Sequence, residues 1–167
     1  MAGRRRGRYK GPWPTDASGI DAGDRLTAIL GGLDERGEVR VEHAGFPVAV
    51  EGGISGERVE AEIVRRFPEH FAARVASVLD PSADRVSPPC PYVGACTGCQ
   101  WQHVKYTRQL QFKREMVAQA LAAVPTLSEI PVRPTLPAPN TLGYRNHARF
   151  TVGRKYGEGG YVNAVTR

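Results

Sequence analysis

Polar and apolar residues alternate most clearly from Glu57 to Arg66, with Val59, Ala61 and Ile63 on one side and Glu60 and Glu62 on the other. A period of two sends successive side chains to opposite faces of a sheet, so this stretch is expected to be a half-buried strand. Glu38–His43 repeats the pattern, with Val39 and Val41 opposed to Arg40 and Glu42. Arg25–Leu30 and Phe46–Val50 are short apolar runs, the first broken off by Gly31-Gly32 and the second preceded by the compact turn Ala44-Gly45. His70–Leu79 is expected to be a fifth strand with Phe71, Ala73 and Val75 inward, although its alanines also permit a helix. Five short strands in residues 21–80, punctuated by glycine, predict a small five-stranded Greek-key barrel of the OB type.

The period then lengthens. Lys105–Val124 reads as an amphipathic helix with Tyr106, Leu110, Val117, Leu121 and Val124 on one stripe, Thr107 placed to cap it and Pro125 to end it. Lys105, Arg108 and Arg114 fall off the stripe, and Lys113 falls at its edge. Residues 125–139 contain five prolines, the mark of an extended crossing segment. Gly143–Val152 is expected to end in a strand, placing Arg145 and Arg149 on one face, and Tyr161–Val165 to pair with it across the turn KYGEGG. A two-stranded unit is marginal alone, so further strands beyond Arg167 are expected to cover it. The class is therefore mainly β with one helix. The divisions are a basic arm disordered alone (1–20), the barrel (21–80), a linker and cysteine loop (81–103), the helix (104–124) and the start of a central β-rich domain (125–167).

Charge sharpens this partition. The chain of 167 residues carries a formal +6, but residues 1–10 hold five cations and no acid, residues 11–88 sum to −6 and residues 89–167 to +7. The two basic flanks, rather than the acidic middle, are the expected footprint for a polyanion such as RNA. No run approaches eighteen consecutive apolar residues, so no membrane helix is expected. No apolar h-region follows the basic start, so a secretory signal is not expected either, and the cytoplasm is the expected compartment.

The densest chemistry lies in CPYVGACTGCQWQH, from Cys90 to His103, which holds all three cysteines: Cys90, Cys96 and Cys99. Three thiols in ten residues are a poor disulfide framework, since an odd number cannot pair internally. The C-x5-C-x2-C spacing suits a metal centre instead, with Gly98 easing the bend. Iron–sulfur clusters usually take four thiolates, so one ligand is missing. It is either a thiolate outside these residues or His103, which would complete a Cys3His zinc site. Cysteines that merely fill space would be scattered. Trp101, beside the last thiol, is expected to shield the centre from water rather than to stack on a base.

Together, the expected barrel, the cysteine loop, Tyr106, Gln109 and Lys113 in the following helix, and GYRNHARFTVG from Gly143 resemble the TRAM-domain RNA (uracil-5-)-methyltransferases. That family includes the 23S rRNA and tRNA uridine enzymes, and the resemblance covers most of the chain from residue 21 onward. Thr97 departs from it, where the family's loop usually has glycine. The resemblance implies a 4Fe–4S cluster on Cys90, Cys96 and Cys99 with a fourth ligand past Arg167. It implies RNA (rRNA or tRNA) as partner, met by the barrel and by Lys113, Arg145 and Arg149. The family's chemistry uses a cysteine that adds to uracil C6, a carboxylate that removes the C5 proton, and S-adenosylmethionine as methyl donor, all in a Rossmann-like domain that these residues do not contain. GEGG at 157–160 is expected to be a turn rather than a nucleotide loop, because no strand–helix unit surrounds it. This polypeptide alone is therefore expected to be catalytically inactive. The reading from another class is a stand-alone, non-catalytic RNA-binding module with the Cys3His zinc site.

Overall fold

A computed structural model describes residues 19–94, 98–147, 152–155 and 160–163. The basic arm of residues 1–10, Cys96 and Arg149 lie outside the described residues. Two compact units form: residues 1–32 with 38–80, and residues 33–37 with 81–167.

The first unit is a five-stranded sheet: β1 (Arg25–Ile29), β2 (Val39–His43), β3 (Phe46–Glu51), β4 (Arg58–Arg66) and β5 (Phe71–Asp80). The order is β1-β4-β5-β3-β2, and every pairing is antiparallel except β3 with β5. All five expected strands form, and His70–Leu79 resolves as strand rather than helix because β5 is paired on both sides, by β4 and β3. The inward sets are close to those expected. Val59, Ala61, Ile63, Phe71 and Ala73 are buried together with Leu26, Val39, Val48, Val50 and Ile54, while Val75 is only half-buried.

The expected barrel does not close. No ladder joins β1 to β2; past the end of β1, Gly31 N–H donates to Arg40 O (2.8 Å) and Arg40 N–H to Gly32 O (3.0 Å). Glu57 is fully buried at the entry to β4, where its Oε2 accepts the Ile54 N–H at 2.9 Å. A buried carboxylate is tolerable only with such donors.

In the second unit the helix α1 spans Tyr106–Ala122, shorter than expected at both ends. Thr107 does not cap it; Lys105 is the N-cap, without a side-chain bond. The apolar stripe packs only in part, with Tyr106, Leu110 and Leu121 half-buried. Phe112 is the one buried residue of α1, whereas Val117 is 51% exposed. The strands β6 (Val152–Lys155) and β7 (Gly160–Asn163) pair antiparallel with Arg154 opposite Tyr161, close to the expected pair. Arg145 precedes β6 in irregular backbone, so the expected strand face shared with Arg149 does not start there. No helix among the described residues is long and apolar enough to cross a membrane.

Among the described residues, the β2–β3 turn carries the one non-glycine position with a positive φ. Ala44 has φ +49° and is followed by Gly45 at φ +80°, the two positive angles of a type I′ hairpin, which Asn-Gly fits better than Ala-Gly. Ala44→Asn is therefore expected to raise stability by about 1 kcal/mol. Thermal unfolding followed by circular dichroism would register this as a midpoint several degrees higher; an unchanged or lower midpoint would contradict the turn assignment.

Candidate metal loop and RNA-contact residues

The cysteine stretch is a loop pinned at its base. Arg85 and Val104 form an isolated antiparallel bridge, flanked by Val86 N–H donating to His103 O (2.9 Å) and Lys105 N–H donating to Asp84 O (2.8 Å). Residues 81–89, expected to be a linker, thus fold back on the segment that follows the thiols. Ser82 supports the return, its hydroxyl accepting from Asp84 N–H at 3.2 Å and its carbonyl from Arg85 N–H at 3.0 Å. Val104 and His103 are buried at this base. Gln109, one turn into α1, donates through Nε2 to Trp101 O (3.0 Å) and Val104 O (2.8 Å). Its amide, a donor, ties the helix start to carbonyls of the loop's exit segment.

Trp101 anchors the same base. Its indole N–H donates to Gly37 O at 3.1 Å, and its ring meets Phe112 edge-on with centroids 5.5 Å apart. Gln100 Nε2 donates to Arg36 O at 3.3 Å beside it. The far side of Phe112 is covered by the Arg108 guanidinium, 4.2 Å from the ring centroid, which also bonds Gln111 and Glu115. Arg108 is therefore committed to packing, and Trp101 is a structural post rather than a free stacking surface.

Within the pinned loop Cys90 and Cys99 are free thiols, the first half-buried and the second exposed. Cys99 Sγ accepts a hydrogen bond from Gln102 Nε2 at 3.1 Å. Among the described residues no group of three or more His, Cys, Asp or Glu side chains is gathered in metal-binding array; Cys96, between the two thiols, lies outside them. His103 is 5% exposed, in a setting unlike that of the exposed Cys99. The expected RNA contacts are separate in sequence and setting: Lys113 is exposed on α1, and Arg145 is exposed with its guanidinium 5.7 Å from the Tyr144 ring centroid.

No family model matches the chain. Individual proteins do. The uncharacterized RNA methyltransferase CT0009 of Chlorobaculum tepidum is 41% identical over 108 residues, covering 64% of this chain and 22% of that protein. The 23S rRNA (uracil(1939)-C(5))-methyltransferase RlmD of Bordetella avium is 42% identical over 120 residues, 72% of this chain and 25% of its own. The uncharacterized RNA methyltransferase gll3134 of Gloeobacter violaceus is 34% identical over 129 residues, 77% and 28%. The chain belongs to this RNA methyltransferase family. It spans about a quarter of the length of the curated relatives it matches.

In this RNA methyltransferase family member the helix residues Tyr106 and Gln109 hold backbone. The Tyr106 hydroxyl accepts the Ala138 N–H at 2.7 Å, as Gln109 grips the loop exit. Sequence reasoning missed Gly37, Gln109 and Phe112 as the supports of the cysteine loop. Only Gly37 carried a local signal, a glycine in a short polar connection. It has φ +76°, and a Cβ there would lie 2.6 Å from Trp101 Cζ2. Gly37→Ala is expected to cost about 2 kcal/mol through backbone strain and displacement of the indole. Urea denaturation followed by near-ultraviolet circular dichroism checks this, and a variant as stable as the parent would refute the Trp101 anchor.

Proposed function

We propose that this chain is the RNA-binding, 4Fe–4S-bearing part of an S-adenosylmethionine-dependent RNA uridine C5-methyltransferase. The observation that carries this is the match of 64–79% of the chain to proteins named RNA methyltransferases, one of them a uracil-C5 enzyme. In this reading residues 21–80 form the RNA-binding module and residues 81–103 the cluster loop. Cys90, Cys96 and Cys99 supply three thiolates. The donor set suits iron and sulfide: Cys90 and Cys99 are unpaired and accessible, and the Gln102 amide already donates to a cysteine sulfur, a contact of the kind that tunes cluster potential. The cluster, when bound, supplies a rigid inorganic crosslink or a redox centre. The chain's own residues close the loop's base, keep water from Val104 and Phe112, and hold Cys99 through Gln102.

Lys113 and Arg145, both exposed, are the proposed phosphate contacts, together with Arg149 and the cations of residues 1–10. Methyl transfer belongs to the longer protein. There a nucleophilic cysteine, a carboxylate base and bound S-adenosylmethionine act on C5 of a uridine that this part helps to hold.

The test uses anaerobically purified protein and an RNA-binding titration. Iron and acid-labile sulfide are expected at about four of each per chain. Affinity for RNA should fall steeply with salt, and Lys113→Ala or Arg145→Ala should each lower the salt slope by about one. Colourless protein holding a single zinc that is lost in His103→Ala would replace the cluster with the Cys3His site. Affinity that is undetectable at low salt would remove the RNA-binding role.

A further inference from the structure

One end of the five-stranded sheet concentrates flat and cationic side chains. Phe46, Phe67 and Phe71 are three of the chain's five phenylalanines, and all lie at the β4–β5 turn or at the start of β3 and β5 beside it. Phe71 is buried and meets Phe46 edge-on at 6.0 Å. Outside this core contact the turn Phe67-Pro68-Glu69-His70 is closed by Phe67 N–H donating to His70 O at 2.8 Å. The Phe67 and His70 rings are stacked, with centroids 4.7 Å apart and planes 14° from parallel. The Arg65 guanidinium lies 5.1 Å from the Phe67 centroid. Guanidinium, phenyl and imidazole thus form one patch of planar groups. Arg65 is exposed, while Phe67 and His70 are half-exposed.

The charge around this patch differs from that of its surroundings. Two other cations of the sheet are matched by acids: Arg25 by Glu60 (3.1 Å) and Glu62 (3.7 Å), Arg74 by Glu51 (3.7 Å). At the turn, Arg65 and Arg66 face aromatic rings instead, Arg66 at 5.6 Å from the Phe71 centroid, and Glu69 is the one acid between residues 63 and 73. The acidic sum of residues 11–88 therefore conceals a cationic tip. Pro68 fixes one backbone angle of the turn, so the stacked pair is set before any ligand arrives.

We propose that the β4–β5 turn is a stacking site for an unpaired RNA base, the base continuing the half-exposed Phe67–His70 stack with Arg65 toward its flanking phosphate. Aromatic faces accept any base, and a guanidinium adds both charge and a stacking plane. The site rests on the RNA-binding reading above and adds to it a specific place where single-stranded RNA is held.

Fluorescence anisotropy of the full chain with a labelled single-stranded oligouridylate tests it, beside a duplex of equal length. His70→Ala is expected to weaken single-strand binding about tenfold, leaving the salt slope and the duplex affinity unchanged. His70→Tyr restores affinity to within about twofold, since it keeps a ring. Arg65→Ala weakens binding and lowers the slope by about one, whereas Arg65→Lys keeps the slope. Photocrosslinking of a 4-thiouridine oligonucleotide to the parent chain is expected to map to residues 65–71, a readout independent of variant folding. A parent chain that binds the oligonucleotide while Arg65→Ala/His70→Ala binds within about twofold of it, or crosslinks only elsewhere, overturns the site and leaves the wider reading standing. No binding by the parent at low salt overturns both.

Discussion

The backbone clamp of Asp84–Val86 on His103–Lys105 is the constraint on which the cysteine loop depends. Closing a chain segment costs entropy that grows slowly with its length, and here that cost is met before any metal binds. The Arg85–Val104 bridge, the two hydrogen bonds beside it and the Gln109 amide on Trp101 O and Val104 O fix both ends of the stretch holding the thiols. In the proposed cluster-binding role, a loop closed at its base would need less further ordering, leaving more of the binding free energy as affinity. The apolar floor serves the same end. Phe112 lies between Trp101 and Arg108, and Trp101 is in turn hydrogen-bonded to Gly37.

Much of the sheet was legible because its information is local. The alternation of Val59, Ala61 and Ile63 with Glu60 and Glu62 fixes a face without knowledge of partners, and the Ala44-Gly45 turn is written in two adjacent residues. What was not legible depends on contacts between distant residues. Whether β1 and β2 would pair into a closed barrel is not recorded by any periodicity, since each strand's alternation is the same in an open sheet. Trp101 finds Gly37 across 64 positions, so its role as an anchor is invisible beside the nearer and more suggestive thiols.

The helix shows how a correct element can be given the wrong face. Tyr106, Leu110, Val117, Leu121 and Val124 make a regular stripe, yet Phe112 is the buried position, its ring edge-on to Trp101 and beside the Arg108 guanidinium. Tyr106 and Leu110 instead meet the proline-rich segment, through the Tyr106 hydroxyl with Ala138 N–H and the Leu110 carbonyl with the Thr135 hydroxyl (2.9 Å). Charge behaved similarly. A segment sum places residues 11–88 on the acidic side, but acids that are paired across strands with Arg25 and Arg74 leave the turn at Arg65 and Arg66 cationic. For a polyanion the local field matters more than the sum.

The proposed role requires Cys90, Cys96 and Cys99 to share a single inorganic centre. X-ray absorption at the iron edge of the anaerobically prepared chain tests it most directly. A first shell dominated by sulfur, with neighbouring iron beyond it, is the predicted result. Iron surrounded by oxygen and nitrogen, or no bound iron at all, would contradict it.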